Sequence, residues 1–376
     1  MSDKRILTLN AGSSSLKLAL FEACSPPRRL FGHTVARMGG TTPEHEASLD
    51  AALSAIEPHG GLAAVAAVGH RIVHGGAHHA DSQPMTADVL DALRGLAILD
   101  PDHMPAELAL VDALRARAPA LPQVACFDTA FHRTMARVAR LLPIPRRYEE
   151  EGVRRYGFHG LSYTFLVEEL ARVAGDRAAR GRVVMAHLGS GSSLAGLLDG
   201  RSVDTTMGFT PNSGIPMGTR SGDIDPGVVL YLLRVGHLDP DALDDVLSRR
   251  SGLLGVSGTS SDMRDLLARR ATDPRAGDAV ALYCCQARKA VGALVTALGG
   301  LDTLVFSGGI GENAPPVRSE IARGLEHLGV HLDEARNEAS SAVISADGSA
   351  CTVRVIRTDE ESVIARETLR VTVGPV

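Results

Sequence analysis

The chain has 376 residues, long for one hydrophobic core and comfortable for two. Apolar residues make up 44% and charged residues 22%, the balance of an ordinary globular protein. The formal net charge of −5 gives no electrostatic case for a nucleic-acid partner, and no apolar run is long enough to span a bilayer.

Short apolar runs at 5–9, 16–21, 65–68, 124–127, 183–187, 194–198, 303–306 and 353–356 predict strands. Between them lie helical patterns. Segment 278–298 repeats apolar residues at helical spacing and stops at Gly299-Gly300; 316–328 does the same and stops at Gly329. The mixture predicts an α/β protein. The Pro- and Arg-rich stretch 142–155 reads as a surface crossing, with Arg146, Arg147, Arg154 and Arg155 as a solvated basic face. Five cysteines, odd in number and without a C-x-x-C pair, predict buried free thiols. With no apolar secretory leader at the amino terminus, a cytoplasmic location is expected.

One internal echo stands out. Residues 8–20 read T-L-N-A-G-S-S-S-L-K-L-A-L, and residues 186–198 read A-H-L-G-S-G-S-S-L-A-G-L-L. In both, a strand enters a Gly/Ser turn and a second apolar strand leaves it. Such a turn exposes backbone N–H groups and hydroxyls suited to phosphate oxygens. One such hairpin is an ordinary turn; two of them suggest duplicated halves.

The common nucleotide signatures are missing. There is no G-x-x-x-x-G-K-[ST], the G-x-G at Gly189-Ser190-Gly191 lacks its third glycine, and there is no H-E-x-x-H or G-x-S-x-G. What remains are polar and glycine clusters at predicted strand ends. They begin with Asn10-Ala11-Gly12-Ser13-Ser14-Ser15-Leu16-Lys17 and Gly69-His70-Arg71-Ile72-Val73-His74-Gly75-Gly76. Then come Phe127-Asp128-Thr129, Tyr156-Gly157-Phe158-His159-Gly160, His187-Leu188-Gly189-Ser190-Gly191 and Met217-Gly218-Thr219-Arg220. Ser307-Gly308-Gly309-Ile310-Gly311-Glu312-Asn313 and Thr358-Asp359-Glu360-Glu361 close the series. Their composition points to phosphoryl transfer, which needs positive charge on the transferred oxygens, a metal at the phosphates and in-line positioning. Arg71 and Arg220 offer guanidinium forks, and Asp128 and Glu360 offer hard oxygens for Mg²⁺, partly through water. The strand–turn–helix at 305–318 offers N–H groups to a nucleotide. A carboxylate acceptor is already ionised at neutral pH and needs no strong general base, which suits a sequence without an obvious base dyad.

Taken in order along nearly the whole chain, these motifs resemble those of the acetate kinase family, in the superfamily of acetate and sugar kinases, heat-shock chaperones and actin. The resemblance implies two duplicated actin-like (ribonuclease H-like) domains around a central cleft. The first would comprise 1–132 plus 362–376, and the second, nucleotide-binding domain 133–361. It implies a homodimer and reversible transfer of the ATP γ-phosphoryl group to the carboxylate of acetate, giving acetyl phosphate and ADP. Propionate or butyrate kinase is the close alternative, and a non-catalytic nucleotide-binding relative the distant one. By the same resemblance, Arg71, Asp128, His159 and Arg220 are catalytic. Asn10 lies near the transferred group and, with Glu360, at the metal, Mg²⁺ or alternatively Mn²⁺. Lys17, His187, Gly189, Ser190, Gly191, Asp262, Met263, Arg264, Gly309, Ile310, Gly311 and Asn313 serve ATP or ADP. Val73, Leu99, Phe158 and Pro211, with Arg71, form the acid's subsite. No nucleic-acid or membrane partner is implied.

Three departures from the family pattern stand out. Ser190 replaces the family's Asn, Asp359 replaces Asn and adds a carboxylate expected beside the metal, and 96–102 reads L-A-I-L-D-P-D where the family has L-A-P-L-H-N-P. The last borders the expected acid subsite.

Overall fold

The computed structural model describes residues 4–12, 15–36 and 42–374. Ser13 and Ser14 of the first Gly/Ser turn, and residues 1–3, 37–41, 375 and 376 of the expected first domain, lie outside the described residues. By internal contacts the chain divides into two compact units. One takes residues up to Arg133, Gly160–Phe165 and the segment from Asp359; the other takes Thr134–His159 and Leu166–Thr358. Relative to the boundaries read from the sequence, 133, 160–165 and 359–361 fall with the first unit. The physical reason is visible at Leu161, which packs with Val124, Cys126, Val363 and Ile364.

The first unit's strands are β1 (Arg5–Ala11), β2 (Ser15–Glu22), β3 (Arg28–Ala36), β4 (Val65–Ile72), β5 (Gln83–Pro84) and β6 (Gln123–Phe127). They form one sheet in the order β3-β2-β1-β4-β6-β5. β1, β2 and β3 are antiparallel, whereas β1, β4 and β6 run parallel. Strand alternation splits β1 between two layers. Leu7, Leu9 and Ala11 join Leu49, Ile56, Leu110 and Leu114 from two helices on one face. Ile6 joins Ala365 and Leu369 of the helix Glu360–Val373 on the other. That helix lies close against β4. A methyl group on Gly69 would come within 2.5 Å of Ile364 Cγ2 and closer still to Thr368 Oγ1, so only glycine fits there.

The second unit contains β7 (Val183–Leu188), β8 (Ser192–Leu198), β9 (Arg201–Thr205), β10 (Thr303–Ser307) and β11 (Thr352–Val355), in the order β11-β10-β7-β8-β9. β7, β8 and β9 are antiparallel; β7, β10 and β11 are parallel. Apart from the two-residue β5, this is the topology of the first sheet. The echoed segments 8–20 and 186–198 fall on β1–β2 and β7–β8, the corresponding hairpins of the two sheets. The fold is α/β, with an actin-like, ribonuclease H-like half in each unit. The long helix Pro274–Leu298 covers the second sheet with Val280, Tyr283, Cys284, Ala287, Val291 and Leu294. Asp273 caps its first turn and Gly299 ends it. Among the described residues, no helix is long and apolar enough to cross a membrane.

All eight predicted strands are present. The strands that the sequence pattern does not reveal, β3, β5 and β9, lie at sheet edges, where solvent-facing polar residues break the apolar alternation; β5 is also only two residues long. The single helix predicted over 316–328 is broken into Pro315–Ala322 and a 3₁₀ turn at Glu326–Leu328, because Gly324 sits between them at φ 94°. The basic stretch is not a uniform solvated face either. Arg146 and Arg147 are exposed, but Arg155 donates to the carbonyls of Thr205, Thr206 and Met207, and Arg154 lies over the Tyr156 ring. The five cysteines are free thiols. Cys126, Cys284 and Cys351 are buried as expected, whereas Cys285 is half-buried and Cys24 is exposed.

His70, grouped with the candidate site by sequence, is instead packed inside the first unit. It is 2% exposed, and burial lowers its pKa from 6.5 to about 4, with a hydrogen bond to Gln123 opposing. The unfolded chain takes up a proton near pH 6.5 that the native state refuses until about pH 4. His70 therefore contributes stability above pH 6.5 that is lost as pH falls from there through about 4. In His70→Gln, the acid-side fall in Tm over this window becomes shallower, by an amount equivalent to roughly 3 kcal/mol or less. Thermal melts of both proteins across the window check this, and parallel curves would place the acid sensitivity elsewhere.

Candidate active site

In the first unit, the chemistry gathers at the carboxyl ends of the parallel strands, the usual place for ligands in α/β sheets. Asn10 stands near the end of β1, Arg71 near the end of β4, and Asp128 directly after β6. Asp128 Oδ2 accepts from Arg71 Nε at 3.0 Å and from its Nη2 at 2.6 Å. Burial works against the Arg71 charge, but Asp128, Glu107 and Glu360 outweigh it and hold the guanidinium firmly protonated. Burial also pushes the Glu107 carboxyl up to about 8, with Arg71 and the Val73 N–H opposing. Asn10 Nδ2 donates to Glu360 Oε2 at 2.8 Å and to Glu361 Oε1 at 3.0 Å. Burial, and then Asp128, raises the pKa of Glu360, with Arg71, Asn10 and Lys17 opposing. Burial and then Glu360 raise that of Glu361. Asn10, Lys17, Arg71, Asp128 and Glu360 thus belong to one network. Val73, two residues past Arg71, is buried, and Leu99 is half-buried at the end of the turn Ala97–Leu99.

Asp359 caps the helix Glu360–Val373 by accepting from Ser362 N, and it pairs with Arg29. A carboxylate at a helix N-terminus is favoured by the unpaired N–H groups there.

In the second unit the chemistry converges on the 189–191 turn that joins β7 to β8. Its Gly189 N–H closes the turn on Gly191 O at 3.1 Å. A Cβ placed on Gly191 would lie 3.2 Å from His159 Nε2 and 3.6 Å from Arg220 Nη2, so both side chains face the same glycine. His159 has φ 58°, a costly conformation for a side-chain-bearing residue and one that recurs at functional sites. Its Nδ1 bonds Ser193 Oγ at 2.9 Å, and its ring stacks on His187 with centroids 4.3 Å apart. A neutral ring that accepts at Nδ1 carries its proton on Nε2, the nitrogen that faces the turn. Arg220 is fixed by the Pro211 carbonyl, 2.9 Å from Nη1. Phe158, next to His159 in the chain, is buried.

Of the expected nucleotide residues, Lys17 is in the first unit, and those of the second unit lie on segments that approach the same turn. Gly218 N donates to Ser190 O at 3.1 Å, and a Cβ on Gly218 would sit 3.3 Å from Ser261 O, next to Asp262. Asp262 caps the helix Met263–Arg269 and holds the Arg264 side chain, while Met263 is buried. On the other side, a Cβ on Gly189 would lie 3.9 Å from Gly309 N. Gly309, Ile310, Gly311 and Asn313 form the short helix Gly308–Asn313 after β10. Glu312, outside the expected nucleotide set, steadies it by accepting from Gly308 N at 3.0 Å and from Thr358 N at 3.2 Å. Glu361 and Ser193 stand inside the quoted 358–361 and 186–198 segments without an assigned role, and the motifs do not contain Glu107 at all. Glu361 is at least visible as the neighbour of Glu360; Glu107, inside a helix and away from any glycine cluster, carries no signal.

A model of the acetokinase family matches residues 5–366. The chain belongs to the acetokinase family. It is 44% identical to an acetate kinase of Rhodopseudomonas palustris, with all of both chains covered. It is 41% identical to a propionate kinase of Citrobacter rodentium, covering 98% of this chain and 96% of that one. Among solved structures, a propionate kinase from Francisella tularensis superposes with a TM-score of 0.89 at 33% identity, covering 99% and 100% of the two chains. The acetate kinase of Porphyromonas gingivalis superposes with a TM-score of 0.86 at 34% identity, covering 98% and 99%.

In this acetokinase-family chain, Ser190 is exposed, and it holds Gly218 through its backbone carbonyl. Ser190→Asn is therefore expected to keep turnover within about threefold of the parent, as for surface changes that leave the backbone alone. Steady-state rates check this; a collapse would mean that the turn is built around the serine hydroxyl.

Proposed function

We propose that this chain is an acetate kinase, transferring the γ-phosphoryl group of ATP directly and reversibly to the acetate carboxylate. The observation that carries the reading is the approach of His159 and Arg220 to one glycine of the 189–191 turn. Two donors aimed at a turn suited to phosphate are what a charge-rich transferring group needs. Arg220 supplies fixed positive charge and His159 an N–H to the phosphoryl oxygens. His187 and the 189–191 segment, with Lys17, serve the nucleotide phosphates. Asp262, Met263 and Arg264, with Gly309, Ile310, Gly311 and Asn313, serve the nucleoside. Arg71 takes the acid's carboxylate, and Val73, Leu99, Phe158 and Pro211 are assigned to its alkyl end. The acid is its own nucleophile, so no residue need remove a proton.

The carboxylates of the first unit fit a divalent cation. Asp128 Oδ1 is buried without a hydrogen-bond partner among the described residues, and Glu360 opposes the ionisation of Glu361 beside it. Among the described residues no three His, Cys, Asp or Glu side chains form a ready cation cage. Mg²⁺, or Mn²⁺ in its place, would be held by Asp128 and Glu360 with Asn10 orienting Glu360. Bound there, it neutralises charge on the phosphates.

The two propionate kinases among the relatives favour a second reading, in which propionate is also accepted. One methylene in an apolar pocket discriminates by only ~1–3 kcal/mol. A homodimer is part of the same reading. The helix Pro226–Arg234 buries none of its residues and exposes Val228, Leu230 and Tyr231, an apolar face suited to a second copy. A cytoplasmic location and two domains of the duplicated fold complete it. The reverse reaction tests the activity. ATP formation from ADP and acetyl phosphate, read by luciferase, is expected; its absence in folded, ADP-binding protein would count against the reading.

A further inference from the structure

We propose that Glu107 is a positioning residue for the acid acceptor, joining the Arg71 guanidinium and the Val73 peptide to one buried carboxyl group. The inference rests on the acetate kinase reading and adds a residue that neither the motifs nor the family pattern singled out. Glu107 lies in the first turn of the helix Met104–Arg117 and is 2% exposed. Its Oε1 accepts from Arg71 Nη1 at 3.3 Å, and its Oε2 from Val73 N at 2.9 Å. One side chain therefore touches both the clamp and the backbone of a residue assigned to the acid's alkyl end.

A guanidinium has five N–H groups. Asp128 Oδ2 faces Nε and Nη2, while Ala11 O, at 2.9 Å, and Glu107 share Nη1. One Nη2 hydrogen is left for a ligand. Asp128 fixes one edge of the fork. Glu107 is the one side chain bonded to Nη1 among the described residues, and it sets the rotation that aims the remaining N–H. Without it, the Val73 N–H loses its buried acceptor and Nη1 keeps only the Ala11 carbonyl, so the fork is held less firmly opposite its Asp128 edge.

The test compares wild type, Glu107→Ala and Glu107→Gln in acyl-phosphate formation with acetate and propionate, with ATP binding measured by calorimetry. Glu107→Ala is expected to raise KM for acetate about tenfold or more, the effect of losing a hydrogen bond to a charged group. KM and Kd for ATP stay within about twofold, and the propionate-to-acetate preference moves by about threefold or more. Glu107→Gln, which keeps a carbonyl for the Val73 N–H, recovers the preference but not the whole KM. Unchanged acid KM and preference in both variants would overturn the proposal, as would equal losses toward acid and ATP. If Glu107→Ala does not fold, Glu107→Gln decides by the same criteria. A wild type that phosphorylates neither acid would instead remove the reading on which the proposal rests.

Discussion

Arg220→Ala is expected to lower turnover about 10³-fold, the scale of an arginine that stabilises a transferring phosphoryl group. The guanidinium is held in place before any ligand arrives, by the Pro211 carbonyl on Nη1 and by the Met217 sulfur at 3.6 Å. Its Nη2 is aimed at the Gly191 position beside His159 Nε2. Alanine removes the charge and leaves the turn's backbone, so ATP should still bind. Calorimetric ATP affinity within about threefold of wild type, together with the lost rate, would place the residue's contribution in the transition state. Near-normal turnover would show that Arg220 is a structural tie to Pro211 and no more.

Asp128→Asn is expected to cost about 10²–10³ in kcat/KM, the scale of breaking a buried charge pair from one side. Two losses combine in that number. The carboxylate oxygen that receives both Nε and Nη2 of Arg71 becomes a neutral amide oxygen, and Arg71 is left leaning on Glu107 and Ala11 O. The Oδ1 atom, which has no hydrogen-bond partner among the described residues, also loses its charge toward a cation. Titrating Mg²⁺ separates the two. A raised half-saturating Mg²⁺ concentration is expected; a loss confined to KM for the acid would mean that Asp128 acts through Arg71 alone.

Much of this site is legible in the sequence because phosphoryl transfer leaves a local mark. Strand ends that must offer N–H groups and charge become rich in glycine, arginine and aspartate, and those clusters survive as short words. The hairpin echo is legible for the same reason, since both turns carry Gly/Ser and both lead into apolar strands. Glu107 is not legible, because it acts through a partner brought close by folding and does not break the local pattern. Glu107 sits 36 positions from Arg71, in a helix whose acidic first turn is ordinary. The capping role of Asp359 is hidden for the same reason, since a sequence shows a carboxylate beside Glu360 but not the Ser362 N–H that it caps. The edge strands β3 and β9 escape because outward-facing polar residues there follow solvent, not the core.

The decisive measurement is trapping of acyl phosphate with hydroxylamine from MgATP and acetate, propionate or butyrate in parallel, with Arg220→Ala as the control. Hydroxamate that forms with acetate, requires ATP and Mg²⁺ and vanishes in the variant is the expected result. No hydroxamate from any of the three acids, in protein that binds ATP, would contradict carboxylate phosphorylation by this chain.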